Sequence, residues 1–398
     1  MKEDYQMKEI YNLLGINNHK TIKELIEDKK EELKISSDRQ LSKVLGINKD
    51  TLNRIITGES KKVDIISIIK ISNFLDLKIE DTIQVYVSTL KTESISEIED
   101  NRKANFILRN FDIERLYKLG FLKTKTNFEE IEKRILNFFE IDNIFDYHNS
   151  VAYPLFSKTK RSADEVMNTF WIKAAYLQFE AINNPNEFDP EELKKIVTKI
   201  RPYTRLVDNG LITVIKALYS LGVTVIVQKY VSKTAVKGAT FIVDNKPCII
   251  LTDQYERYDL MWFTLLHEIC HVLFDFDELS RKSYHLSGAS DLLLLNEERA
   301  NKFAREILFP EERMNFLKPN IFNPFLVSQY AEQNNVHPSI IYGFYLHDHP
   351  QESGVLYKKF NRFLIKSEMA VRSLKTNLWD TNESPADQAR KIIEKISN

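Results

Sequence analysis

The stretch from Trp262 to Asp275, reading WFTLLHEICHVLFD, constrains this chain more than any other. Its apolar density and spacing predict a buried helix. Inside it stands His267-Glu268-Ile269-Cys270-His271, an H-E-x-x-H pattern. A helix turns by about 100° per residue, so His267, Glu268 and His271 share one sector, with the imidazoles one turn apart. Phe263, Leu266, Cys270 and Phe274 form an apolar stripe beside that sector. Two such nitrogen donors suit a zinc ion that keeps one position open, and Glu268 lies where a general base belongs. A core helix carrying two satisfied histidines is the plain alternative.

A third protein ligand is required, and Asp291 to Pro310 (DLLLLNEERANKFAREILFP) offers one. Read as a helix, it places Leu293, Glu297, Ala300, Asn301, Ala304 and Leu308 on one face. Glu298, Arg299, Lys302, Arg305 and Glu306 spread over the remaining, solvated sides. Glu297 is thus a carboxylate in an inward stripe of small residues, costly to bury unless paired or bound to metal. We expect it to be the third ligand; capping, or pairing with an arginine, is the alternative.

These residues resemble the ImmA/IrrE family of zinc metallopeptidases: His267-Glu-x-x-His271, then Glu297-x-x-Ala300-Asn301-x-Phe303-Ala304, then Leu308-Phe309-Pro310. Gly238-Ala239-Thr240, Ile249-Ile250-Leu251 and Trp262-Phe263-Thr264 extend the likeness upstream. Asn335 to Gly343 is similar to the closing segment of members with an N-terminal helix-turn-helix, often labelled HigA-like. Arg299 departs from the pattern, since members often carry an acidic residue there.

Composition bounds the rest. The chain has 398 residues, 43% hydrophobic and 28% charged, with a net charge of −1. That suits a globular protein with no global field steering it to nucleic acid or membrane. No secretory signal opens it and no apolar run is long enough for a bilayer, so a cytoplasmic protein without membrane contact is expected. Two cysteines, Cys248 and Cys270, fit a reducing compartment. The expected fold is mainly α with a small α+β part. It comprises a helix-turn-helix domain (1–88), a polar linker (89–105), a helical middle region (106–190), a zincin-like peptidase domain (191–350) and a helical tail (351–398).

From Thr21 to about Val87 the periodicity is helical. Ser37 to Leu45 reads as a helix stopped by Gly46, Ile47 to Asp50 as a turn, and Thr51 to Ile56 as a second helix ended at Gly58. Val63 to Leu77 supports them, with Ile66, Ile69, Ile71, Phe74 and Leu75. This is a helix-turn-helix plan, and it resembles the XRE (lambda-repressor-like) class. Lys49, Asp50, Asn53 and Arg54 are free to face a major groove; Lys43, Lys61 and Lys62 could reach phosphates. Residues 34–62 hold seven Lys/Arg against three Asp/Glu, a modest basic excess. Double-stranded DNA is therefore the expected partner; oligomeric state is left open by the sequence, although helix-turn-helix proteins of this kind usually bind paired half-sites as a homodimer. The alternative is a protein-docking module of the same fold.

Ahead of the H-E-x-x-H helix, Val223 to Gln228, Gly238 to Val243 and Pro247 to Leu251 read as strands, with a hairpin turn at Asp244-Asn245-Lys246. A small antiparallel sheet there resembles the one zincin-type peptidases use to hold an extended substrate. Gly238, Ala239 and Thr240 are the expected substrate-binding edge. His285, between the two metal-bearing helices, is a candidate oxyanion stabiliser.

The mechanism expected is that of a gluzincin-like endopeptidase. Zn2+ on His267, His271 and Glu297 activates a water, and Glu268 moves its proton to the leaving amine. Mn2+ or Fe2+ would suit the same donors. The family resemblance implies few substrates, typically a repressor or antitoxin cleaved in a stress, phage or toxin–antitoxin response. The alternative is a DNA-binding antitoxin or autorepressor in which the metal fold is a sensor or interaction platform.

Overall fold

The computed structural model describes residues 20–60, 62–90, 92–148, 163–231, 237–281, 285–287, 294–374, 378–379 and 382–396. They divide into two compact units, residues 1–106 and 107–398.

The first unit holds α1 (Ile22–Glu32), α2 (Asp38–Leu45), α3 (Lys49–Ile56), α4 (Ile65–Leu75) and α5 (Ile79–Thr89). Local chemistry sets their limits. Thr21 and Glu24 form a capping box on α1, and Ser37 and Asn48 accept backbone N–H bonds at the starts of α2 and α3. Asn48 starts α3 two residues earlier than the apolar spacing predicts. Ile22, Ile26, Leu41, Leu52, Ile55 and Ile71 close a core around the α2–turn–α3 pair. Ile66 and Ile69, read as part of the supporting apolar set, are instead 61% and 40% exposed on α4. Gly58 follows α3 with φ of +67°, and a Cβ there would meet the Thr89 carbonyl oxygen at 1.9 Å. The end of α3 thereby lies close against the end of α5.

The segment read as a linker is helical: α6 runs Thr92–Asn110. Its polarity hides good helix formers, and Glu99–Arg102 and Asn101–Asn105 contacts run along its surface.

The second unit begins with α7 (Ile113–Lys118), α8 (Phe128–Phe139), α9 (Ala163–Ile182), α10 (Pro190–Val197) and α11 (Gly210–Ser220). Then come β1 (Thr224–Gln228), β2 (Gly238–Val243), β3 (Lys246–Thr252), α12 (Tyr258–Phe274), α13 (Phe276–Arg281), β4 (His285–Ser287) and α14 (Leu294–Leu308). It closes with α15 (Glu311–Leu317), α16 (Pro324–Gln333), α17 (Pro338–Asp348), α18 (Ser353–Phe360), α19 (Glu368–Val371) and α20 (Pro385–Ile396). The middle region and the tail are not appendages. Phe121, Phe138, Phe139 and Phe170 interlock, and Trp379 from the tail packs on Phe138 and Phe170 at 6.1 and 5.5 Å. Tyr258, the first residue of α12, donates its N–H to Ile365 of the tail.

The sheet has the order β1-β3-β2-β4 and is mixed, not antiparallel throughout. β1 pairs with β3 in parallel, while β2 pairs antiparallel with both β3 and β4. The β2–β3 hairpin turns on Asp244 and Asn245, both in the left-handed region at φ of 50° and 62°. Because the chain leaves β1 and returns beyond β3, the hairpin inserts its second strand beside β1.

Candidate metal centre and DNA-reading helix

α12 is buried almost along its whole length, and Trp262, Leu265, Leu266, Ile269 and Val272 anchor it. α14 lies against it through Ala300, Ala304 and Leu308, all fully buried. Small side chains at these positions let the two helices approach closely. That contact brings Glu297 over the two imidazoles, as the spacing predicts. Glu297 Oε2 lies 3.5 Å from His267 Nε2, and Glu297 Oε1 lies 3.3 Å from His271 Nε2. The two Nε2 atoms are 3.2 Å apart. Among the described residues these three form the group of metal-ligating side chains within mutual reach.

The separations decide what could fit. Zinc bonds of about 2.0–2.1 Å in a tetrahedron put neighbouring donors about 3.3–3.4 Å apart. The two Nε2 atoms, 3.2 Å apart, have that spacing; each imidazole meets a different Glu297 oxygen, at 3.3 and 3.5 Å, and one donor atom from each residue lies within 4.8 Å of the others. A ligating imidazole also needs its other nitrogen held, which fixes tautomer and ring plane. His271 Nδ1 lies 2.8 Å from Asp275 Oδ2, and His267 Nδ1 lies 3.0 Å from Asn301 Oδ1. Both Nε2 atoms are thereby left to face Glu297. Arg299, though 43% exposed, donates to Asp275 Oδ1 at 2.5 Å. Its place is therefore beside the cluster rather than on a purely solvated surface, and it supports the carboxylate that orients His271.

The electrostatics follow the same contacts. Burial works against a charge on His271, but Asp275 and Glu297 outweigh it and hold its pKa up to about 9. Burial likewise raises Asp275, yet His271 and Arg299 together bring its carboxyl below the usual range. Burial pushes the Cys270 thiol up to about 11, which keeps it a neutral core residue and no thiolate ligand.

Glu268 is fully buried, and its Oε2 accepts a hydrogen bond from Thr240 Oγ1 at 2.6 Å. Gly238 lies beside it: a Cβ there would come within 2.5 Å of Glu268 Oε1. Sequence reasoning placed Gly238, Ala239 and Thr240 on a free sheet edge, and the structure corrects this. Their outer edge is taken by β4, through Gly238–Ser287, Ala239–Leu286 and Thr240–His285 pairs. Positions 238 and 240 instead face α12, as the two-residue period of a strand requires. His285 pairs through its backbone in β4, and its side chain lies outside the described part of the structure. Other histidines lie on unrelated contacts. His337 caps α17 against Ser339 and packs on Tyr258; His349 bonds the Tyr345 carbonyl; His347 is exposed beside Asp348.

In the first unit, α3 turns Leu52 and Ile55 into the core and leaves Lys49, Asp50, Asn53 and Arg54 exposed on the opposite side. Lys43 and Lys62 are also exposed, and Lys61 lies outside the described residues. Asn53 and Arg54 carry side chains of the kinds that can bond a base edge twice, and the exposed lysines are of the kind that meets phosphate. No helix among the described residues is long and apolar enough to cross a membrane.

No curated protein and no solved structure matches the chain. A family model described as a Cro/C1-type HTH DNA-binding domain matches residues 21–86, the span from the capping threonine of α1 into α5. Residues 21–86 are thus a helix-turn-helix DNA-binding domain of the Cro/C1 type.

Proposed function

We propose that this chain is a zinc-dependent endopeptidase of ImmA/IrrE type, joined to its DNA-binding domain, that cleaves a partner repressor or antitoxin. The observation carrying this reading is the convergence of His267, His271 and Glu297, whose donor atoms lie within 4.8 Å of one another, with each imidazole Nε2 3.3–3.5 Å from one oxygen of the Glu297 carboxylate. Glu268, buried next to the histidines, supports hydrolysis over a structural ion, which has no use for an acid beyond its ligands. Bound there, zinc supplies Lewis-acid polarisation of a carbonyl and a water of lowered pKa. Asp275 and Asn301 orient the two imidazoles, Arg299 steadies Asp275, and Glu268 takes and returns the proton. The test is to mix zinc-loaded protein with the product of a neighbouring regulator gene and follow intact mass. Site-specific fragments support the proposal; an uncut regulator over prolonged incubation with metal opposes it.

The second reading, a DNA-binding antitoxin or autorepressor with the metal fold as a sensor, draws on the Cro/C1-type match at residues 21–86. DNA recognition itself yields a direct expectation. Arg54→Ala and Asn53→Ala each weaken binding to the cognate operator by about 1–3 kcal/mol and relax base preference at one position. Lys43→Ala weakens all sequences alike and lowers the salt slope by about one. Fluorescence anisotropy at several salt concentrations separates these outcomes. Equal losses on specific and unrelated DNA for Arg54→Ala would remove it from the base-reading set.

A further inference from the structure

The side chain of Glu268 is held from outside its own helix. Thr240 Oγ1 donates to Glu268 Oε2 at 2.6 Å, and both residues are fully buried. Two residues earlier on the same face of β2, Gly238 leaves the space that Glu268 Oε1 occupies, for a Cβ there would stand 2.5 Å from that oxygen and 2.6 Å from Thr264 Cγ2. β2 cannot retreat to make room. Gly238 and Thr240 are paired on one side with Leu251 and Ile249 of β3, and on the other with Ser287 and His285 of β4. A strand hydrogen-bonded along both edges presents its hydroxyl and its gap at fixed positions.

From this we infer that Thr240 is a positioning residue for Glu268, with Gly238 shaping the slot, so that β2 takes part in setting where the general base points. The inference rests on the peptidase reading above. A glutamate has three rotatable side-chain bonds, and a helix backbone fixes none beyond the first few rotamers. A buried carboxylate must take hydrogen bonds where they are offered, so the donor on β2 selects among those rotamers. The residues that looked like a substrate-binding edge therefore serve the proton-moving acid instead.

The experiment uses full-length zinc-loaded protein and acetohydroxamate, a chelator that binds zinc through its oxygens and hydrogen-bonds a carboxylate alongside. Affinity is measured by calorimetry for wild type, Glu268→Gln, Thr240→Val, Thr240→Ser and Gly238→Ala, with zinc affinity measured for each. Thr240→Val is expected to bind the hydroxamate about tenfold more weakly, as Glu268→Gln does, while zinc affinity stays within about threefold. Thr240→Ser, which keeps the hydroxyl, restores binding to within about threefold of wild type. Gly238→Ala weakens it with the Thr240 hydroxyl still present. If Glu268→Gln weakens the hydroxamate and Thr240→Val binds like wild type, the positioning role is overturned. If Glu268→Gln itself has no effect, or wild type takes up no zinc, it is the peptidase reading that fails.

Discussion

Glu268→Gln is expected to retain zinc affinity and lose cleavage of the partner regulator by about 10²- to 10⁴-fold, the range typical of a lost general base. The substitution is nearly isosteric. A glutamine oxygen can still accept the Thr240 hydroxyl, so packing between α12 and β2 is preserved. The metal ligands are untouched, because among the described residues the metal-ligating group is His267, His271 and Glu297. What disappears is the ability to take a proton at that place. Cleavage is followed by intact mass and zinc by competition with a chromogenic chelator. A variant that cuts at the wild-type rate would remove Glu268 from the chemistry.

Glu297→Ala is expected to cost more than about a hundredfold in zinc affinity, since even an outer partner of a ligand is worth about 10–100-fold. Without the carboxylate, only the two Nε2 atoms, 3.2 Å apart, remain in the cluster. His271 would also lose one of the three carboxylates around it, Asp275 and Glu268 remaining, which removes a stabilising anion from a buried imidazole. Glu298→Ala provides the comparison, because Glu298 is exposed about 100° further round α14 and should leave zinc binding unchanged. Equal losses from the two variants would mean that Glu297 acts through general charge and not as a ligand.

The parts of this arrangement that were legible in the sequence share one spacing. His267 to His271 is a step of four on α12, and Ala300, Ala304 and Leu308 repeat every four along α14. Helical periodicity therefore placed the donors and the packing face together. The same step reaches Asp275 from His271 and Asn301 from Glu297, so the groups that orient the rings lay within reach of the rule. Asn301 stands on the predicted inward face, but the spacing names no partner for it, and Asp275 has no predicted role because an Asp at a helix end more often caps or faces solvent. The sheet was less legible. β4 has three residues, too short for an alternating pattern, and its pairing with Gly238–Thr240 is a contact across more than forty positions of chain. The parallel β1–β3 pair depends on a crossover that strand composition does not encode. α6 was obscured by composition: serine and glutamate suggest a linker, yet Ile107 is fully buried near its end.

The central claim is that two imidazoles and one carboxylate hold the metal, and X-ray absorption at the zinc edge of the full-length protein tests it most directly. The expected first shell is nitrogen and oxygen only, at about 2.0–2.1 Å, with the outer scattering of two imidazoles and one zinc per chain. A sulfur contribution at about 2.3 Å, or an imidazole count other than two, would contradict it.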